Sequence, residues 1–140
     1  MSSVRKRDQS EHRFTVQDKA LDLYNYTSDI LRNDKVFDRK FSEIINRIDM
    51  EAFEVYHCVR RANEDLDNRI QDEAKKRIRL ESEAVEHCST LKTLIMLSKK
   101  KFHLRANRVA YWNGLVNAAM DHIKKWQASE IKTYNERFGL

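Results

Sequence analysis

The sequence contains no proline and only two glycines among its 140 residues. Proline is the residue least compatible with a helix interior and glycine is the next, so almost nothing in this chain interrupts a helix. Apolar residues also recur with the helical period from one end of the chain to the other. A bundle of long α-helices is therefore nearly the only compact architecture left open.

Long apolar runs are also missing. The longest is Leu94-Ile95-Met96-Leu97, which is far too short to span a membrane. The basic segment Met1 to Arg7 is followed by no apolar stretch, so no secretory signal is predicted. Only two cysteines occur, which favours a reducing cytoplasm. With 41% hydrophobic and 35% charged residues, the chain is apolar enough to bury the core of one domain.

The apolar stripes predict four helices, over about 16–33, 39–63, 67–98 and 103–127. Short connections between them predict an all-α, up-down-up-down antiparallel four-helix bundle. Residues 1–12 are predicted as a flexible basic arm and 13–127 as the bundle. Residues 128–140 form either a helical extension or a frayed tail, and the sequence does not decide between the two.

Several positions carry more specific expectations. Trp112 and Trp126 lie on the inward stripe of helix 4 and are predicted core residues. The stripe of helix 3 starts at Ile70 and includes Glu81, so its first half is weakly apolar and is expected to project beyond the core or to meet a partner. Gly114 lies inside helix 4 at a cost of about 1 kcal/mol relative to alanine, which suggests close backbone approach there.

A second apolar face is predicted on helix 2. Met50, Phe53 and His57 project roughly 130–170° away from the core stripe at about 100° per residue, where polar groups normally dominate. Tyr111 points away from the core stripe of helix 4. These four residues are the predicted oligomer or partner interface.

Two sequence patterns contain residues that could bind a metal ion. His-Cys occurs twice, at His57-Cys58 and His87-Cys88, but a turn near residue 65 places Cys58 level with about residue 73. Cys88 then lies roughly 22 Å away, too far for a disulfide or a shared metal. The pair Glu54-x-x-His57 is half of a di-iron motif, and no second copy occurs. No nucleophile beside a base and no phosphate loop is recognisable, so no enzyme, metal or cofactor is predicted.

Charge is the remaining signal. The chain carries +5, and residues 99–140 alone carry nine basic and three acidic side chains, which indicates an anionic partner such as nucleic acid. Some of these cations have structural explanations. The helix dipole favours cations at the carboxyl end of a helix, and Arg77 can pair with Glu73 or Glu81. Neither effect explains the cations at the amino end of helix 4. The predicted nucleic-acid-binding residues are Lys99, Lys100, Lys101, His103, Arg105, Arg108, Lys124, Lys125, Arg60, Arg61, Lys75, Lys76, Arg77 and Arg79.

The second half of the chain carries a family resemblance. Its landmarks are Arg61-Ala62-Asn63-Glu64, Arg77-Ile78-Arg79-Leu80-Glu81, Leu91-Lys92-Thr93-Leu94-Ile95, a basic turn, Tyr111-Trp112 and Trp126. This order resembles the Avd-like proteins, the accessory variability determinants of diversity-generating retroelements, which are related to bundle proteins encoded in ribosomal-RNA intervening sequences. Many relatives have Phe-Pro between helices 1 and 2, whereas here Asp38 follows Phe37.

The resemblance implies a non-enzymatic accessory subunit in the cytoplasm. Such relatives form pentameric rings, basic on the outside, that bind an error-prone reverse transcriptase and its template RNA or cDNA during mutagenic reverse transcription. From the residues alone, an alternative stays open: a structural, self-associating bundle that docks on another protein without binding nucleic acid. The sequence does not give the number of subunits, the RNA preference or the face that meets the reverse transcriptase.

Overall fold

The predicted all-α four-helix bundle is confirmed. A computed structural model describes the backbone of residues 2–139 and the side chains of residues 15–139. Its four helices are α1 (Ser2–Leu31), α2 (Ser42–Arg60), α3 (Gln71–Lys101) and α4 (Ala106–Phe138). A 3-10 turn (Arg39–Phe41) precedes α2, a π-helical turn (Arg61–Asp65) follows it, and residues 2–139 contain no strand. Each helix packs against its sequence neighbours and α1 closes the ring against α4, as an up-down-up-down bundle requires.

The core follows the predicted stripes. Trp112 is fully buried and Trp126 is 4% exposed, so both tryptophans lie in the interior as expected. Trp112 donates its indole N–H to Thr27 Oγ1 at 2.9 Å, and the ring of Phe37 meets it edge-on. This hydrogen bond supplies the partner that a buried indole requires. Within the described residues, no helix is both long and apolar enough to cross a bilayer.

The helix ends differ from the predicted bounds. The helix α1 begins at Ser2 rather than near residue 16, so most of the predicted arm has a helical backbone. The side chains of that arm lie outside the described residues, and its flexibility stays a prediction. Helix α4 continues through residues 128–138 with Gly139 as its C-cap, so this segment is a helical extension.

Two expectations about helix interiors are wrong. Gly114 is exposed, and a Cβ atom built there meets nothing within 4 Å, so no neighbouring backbone approaches it. Ile70 precedes the first turn of α3 and is 50% exposed. The first half of α3 does not project beyond the core, because Leu80 and Glu81 are buried in the bundle, while the alternative that it meets a partner stays a prediction.

Candidate nucleic-acid interface

One end of the bundle gathers two of its three helix connections. The up-down topology places the α1–α2 connection, residues 31–41 including the last residue of α1, beside the α3–α4 connection, taken here as residues 98–108 including the adjoining helix ends. Aromatic rings join them: the centroids of Phe37 and Phe102 are 4.9 Å apart, and those of Phe41 and Phe102 are 5.6 Å apart. The two connections therefore form one surface, which we call the basic end.

The net positive charge of the basic end exceeds the net charge of the whole chain. Residues 31–41 carry four basic and two acidic side chains, and residues 98–108 carry five basic and none acidic. Their net charge of +7 exceeds the total of +5, so the remaining residues together carry −2. Charge of one sign concentrated at one end of a bundle attracts and orients polyanions.

The backbone turn at the end of α3 keeps the basic side chains of the α3–α4 connection outside the core. Helix α3 ends in a Schellman-type turn in which the Leu104 N–H donates to the Lys99 carbonyl at 3.1 Å. His103 occupies the left-handed position with φ 53°, where glycine is the usual residue. The side chains that this turn exposes are Lys99, Lys100, Lys101, His103 and Arg105.

These cations are not neutralised within the described part of the chain. Lys99, Lys100 and Arg105 form no ion pair with any residue in 15–139. The Lys101 ammonium lies 4.8 Å from the ring centroid of Phe41, a contact that leaves its charge intact. Arg108 is half-buried and lowers the pKa of Tyr26, which burial raises. The basic side chains of this turn therefore remain charged and available to bind an external anion.

Sequence reasoning missed the cations of the α1–α2 connection. The Lys40 ammonium lies 5.1 Å from the same Phe41 ring that Lys101 approaches, which joins the two segments directly. Lys40 also lies 3.8 Å from Asp38, although both side chains are well exposed, and such pairs contribute little. The up-down topology was the signal available, because it alone places the first and third connections at the same end.

Other predicted binding residues lie elsewhere. Lys75, Lys76 and Arg79 belong to the opposite half of α3, and Lys75 is about 36 Å from Lys99 at 1.5 Å per residue. Lys124 and Lys125 are exposed along α4. These five cations therefore do not extend the basic end into one continuous site.

Arg60 and Arg61 lie at an acidic end. Arg60 pairs with Glu64 at 3.1 Å and with Asp65 at 3.8 Å. Residues 61–73 around the α2–α3 connection carry five acidic and two basic side chains. Polyanion binding is electrostatically disfavoured there.

Arg77 is a correction to the predicted binding set. It is 4% exposed and pairs with the buried carboxylate of Glu130 on α4 rather than with Glu73 or Glu81. The guanidinium also donates to the carbonyls of Ala62 and Leu66. A side chain enclosed in this way cannot contact phosphate, and it connects α3 to α4 and to the segment that follows α2.

The predicted interface residues divide between two faces. Met50 and Phe53 are 54% and 37% exposed, and His57 is half-buried and stacks on Phe53 at 5.3 Å between ring centroids. Tyr111 is exposed on α4 and meets Tyr26 at 4.9 Å. Sequence reasoning missed two further exposed apolar side chains on α3, Met96 and Leu97.

The packing of α2 against α3 corrects the expected helix register. Glu51 lies opposite His87 and Ala62 opposite Arg77, so the midpoints of these pairs fall near residue 69 rather than 65. The segment from Leu66 to Ile70 is not helical and lengthens the connection. On this register Cys58 is level with about residue 80 rather than 73, and the side chain of His87 comes within reach of it.

Three side chains with metal-ligand chemistry meet because of this register. The ligand atoms of Glu54, Cys58 and His87 all lie within 4.8 Å of one another. Both cysteines are free and buried. Burial, reinforced by the neighbouring carboxylates of Glu54 and Glu83, raises the pKa of the Cys58 thiol to about 12. The histidine of the predicted Glu54-x-x-His57 half-motif is not part of this group.

Comparisons with known proteins add no family assignment. Family models, curated proteins and solved structures were each searched with this chain, and none matched. The Avd-like resemblance therefore stays a prediction from the sequence.

Proposed function

We propose that this protein is a non-enzymatic, cytoplasmic accessory subunit that binds the RNA and cDNA of a diversity-generating retroelement together with its reverse transcriptase. The single observation that carries the nucleic-acid part is the basic end, with its net charge of +7 and its turn cations unpaired among the described residues. The retroelement part rests on the Avd-like sequence pattern.

The chemistry of the basic end favours contacts to the phosphate backbone. Lysine and arginine side chains on a convex helix turn reach phosphate oxygens, and such contacts fix position without reading base sequence. Phe37, Phe41 and Phe102 lie against one another in the packed connection, so the exposed aromatic platform that single-strand stacking requires is not formed by them. We expect binding that depends strongly on salt and weakly on sequence.

The RNA test compares two variants with equal loss of charge. In the first, Lys99, Lys100, Lys101, Arg105 and Arg108 become glutamine. In the matched control, the same replacement is made at five exposed cations elsewhere, namely Lys75, Lys76, Arg79, Lys124 and Lys125. Affinity for a single-stranded RNA is measured over a salt series, because each phosphate contact contributes about 0.7 to the slope of log K against log salt.

The two variants are expected to behave differently. The basic-end variant should lose affinity and flatten the salt slope, whereas the control should retain most of both. Equal losses in the two variants would show that only overall charge matters. No binding by the wild-type chain at low salt would remove the RNA part of the proposal.

The cations of the α1–α2 connection, which the topology places at the basic end, allow a second RNA-binding test. Replacing Arg32 and Lys35 by glutamine changes the α1–α2 connection, which is distant in sequence from the α3–α4 turn. If the two connections form one binding surface, this variant should also weaken RNA binding, as the basic-end variant should. Unchanged affinity would restrict the interface to residues 98–108.

The reverse-transcriptase part needs a separate observation. A gene for a reverse transcriptase beside this one, with a template and variable repeat pair, is the expected genomic neighbourhood. The encoded enzyme should then co-purify with this protein, and failure to co-purify would remove that partner. The family resemblance further predicts a homo-oligomer, pentameric in its relatives, which sedimentation at several concentrations measures.

A second candidate function rests on the exposed apolar face around Phe53. A structural bundle that self-associates or docks on another protein would use this face and would treat the basic end as incidental. Phe53→Asp is expected to lower the oligomer mass if the face is an interface. An oligomer of unchanged mass would argue against that face, and RNA binding that survives in the monomer would separate the two functions.

A further inference from the structure

The side chains of Glu54, Cys58 and His87 form a compact cluster between α2 and α3. Glu54 and Cys58 are four residues apart on α2 and therefore lie on the same helix face, while His87 reaches them from α3. Their ligand atoms, one carboxylate oxygen, one sulfur and one ring nitrogen, are all within 4.8 Å of one another. A tetrahedral zinc ion with bonds of about 2.0–2.3 Å places its ligand atoms about 3.3–3.8 Å apart, so small side-chain rotations close the site.

The histidine of this cluster has the carboxylate partner that metal-binding histidines commonly have. The His87 Nδ1 atom lies 2.6 Å from Glu51 Oε2, and Glu51 is in turn 3.6 Å from the Arg47 guanidinium. A hydrogen bond from Nδ1–H to a carboxylate leaves the Nε2 lone pair free to bind a metal ion. Such carboxylate–histidine–metal arrangements fix the tautomer and raise the basicity of the ligand.

The local charge also favours a cation. The carboxylates of Glu54 and Glu83 act on Cys58, Glu51 lies against His87, and the cation that acts on Cys58 from the described part of the chain is Arg61. Cys58 itself is 4% exposed, so the sulfur lies in a partly dehydrated setting in which unneutralised negative charge is unfavourable. A divalent ion would supply the missing positive charge.

We propose that Glu54, Cys58 and His87 bind one divalent transition-metal ion, which we assign to zinc from the combination of sulfur, nitrogen and oxygen ligands. Three protein ligands leave a fourth position for water or for the nearby Glu83 carboxylate. The ion links α2 to α3 in mid-bundle, away from the basic end. This site does not depend on RNA binding, and its test is separate from that of the proposed function.

Cobalt(II) is the probe for this site. The full-length chain is freed of metal with a chelator and titrated with Co²⁺, which reports thiolate coordination by a ligand-to-metal charge-transfer band in the near ultraviolet. We expect this band, together with the intense visible absorption of four-coordinate cobalt, to saturate at one equivalent. Adding Zn²⁺ should abolish both signals, and zinc-loaded protein should melt at a higher temperature than the metal-free chain.

Variants separate the three ligands from their surroundings. Cys58→Ser should abolish the charge-transfer band, and His87→Gln and Glu54→Gln should each strongly weaken binding. Glu51→Gln, which removes only the charge that orients His87, should weaken it by about 10- to 100-fold. The matched controls are Cys88→Ala, the other buried cysteine, and His57→Gln, the histidine next to Cys58, which should bind cobalt as the wild type does.

The proposal is overturned by any of three results. One is the absence of a charge-transfer band in the wild-type chain at one equivalent of cobalt. The second is an unchanged band in Cys58→Ser. The third is equal loss of binding in His57→Gln and His87→Gln, which would indicate a surface histidine site. Far-ultraviolet circular dichroism is to check that each variant is folded, and His87, whose side chain is 31% exposed, offers a substitution outside the core.

Discussion

Arg77 of α3 and Glu130 of α4 form an ion pair in the interior of the bundle, with side-chain exposures of 5% and 9%. The same guanidinium donates to the carbonyls of Ala62 and Leu66 and lies 5.7 Å from the ring centroid of Trp126. One side chain thus connects α3 to α4 and to the turn that follows α2. A buried pair of this kind is sensitive to the loss of either partner.

We predict that Glu130→Ala lowers the free energy of unfolding by about 3–5 kcal/mol, because it leaves a buried guanidinium without a counter-charge. Urea unfolding followed by circular dichroism measures the change. The control is Glu136→Ala, an exposed position on the same helix, for which the change should stay within about 0.5 kcal/mol. Equal, small effects in the two variants would contradict a structural role for the pair.

We predict that Glu81 makes the free energy of unfolding depend on pH. It is fully buried beside this pair, and neither carboxylate oxygen has a hydrogen-bond partner among the described residues. Burial, with repulsion from Glu130, raises its pKa from the ordinary 4.5 to about 9. Between these values the folded chain binds a proton that the unfolded chain has released, so stability falls as pH rises, by up to about 1.4 kcal/mol per pH unit.

The measurement is urea unfolding at several pH values within that interval. Glu81→Gln removes the titrating group and should flatten the decline, leaving the variant relatively more stable toward the alkaline side. Glu83→Gln is a nearby control on α3 that is only half-buried, and the decline should persist in it. Parallel curves for the wild type and Glu81→Gln would show that Glu81 does not titrate in this range.

The hydrogen bond from Trp112 to Thr27 yields a third prediction. Thr27→Val keeps nearly the same volume but leaves the buried indole N–H without an acceptor. The expected cost is about 1–3 kcal/mol of unfolding free energy. Thr93→Val, at an exposed position on α3, is the matched control and should change stability by no more than about 0.5 kcal/mol. Similar values for the two variants would mean that the indole finds another acceptor.

Gly114 offers a stabilising substitution. Gly114→Ala should raise the free energy of unfolding by about 1 kcal/mol, because alanine favours the helix and its Cβ meets no atom within 4 Å. Thermal unfolding should show an increase of a few degrees. Gly139→Ala is the contrasting control, since φ is 72° at that position and alanine is strained there. A lower free energy of unfolding for Gly114→Ala would contradict this prediction, because it would mean that the added methyl group does meet neighbouring atoms.

The local sequence was enough to predict the helical fold. A chain without proline and with two glycines has few places to end a helix, and its apolar stripes assigned Trp112, Trp126 and most of the core correctly. Helix ends were less predictable, because α3 and α4 both continue past the ends of their predicted apolar stripes, at Ile95 and Trp126, to Lys101 and Phe138. Propensity and neighbouring contacts extend a helix where the apolar pattern fades.

The candidate sites depended on the tertiary structure. Sequence spacing grouped Arg77 with surface cations, yet its burial against Glu130 is a property of the packed α3 and α4. Spacing also placed Cys58 level with residue 73 and far from the His87-Cys88 pair. The length of a non-helical connection sets the register between two helices, and the apolar period does not report that length. The sequence by itself determined four amphipathic helices and an excess of positive charge; only their packing decided which charges meet solvent, which are neutralised inside, and which side chains of different helices lie within reach of one ion.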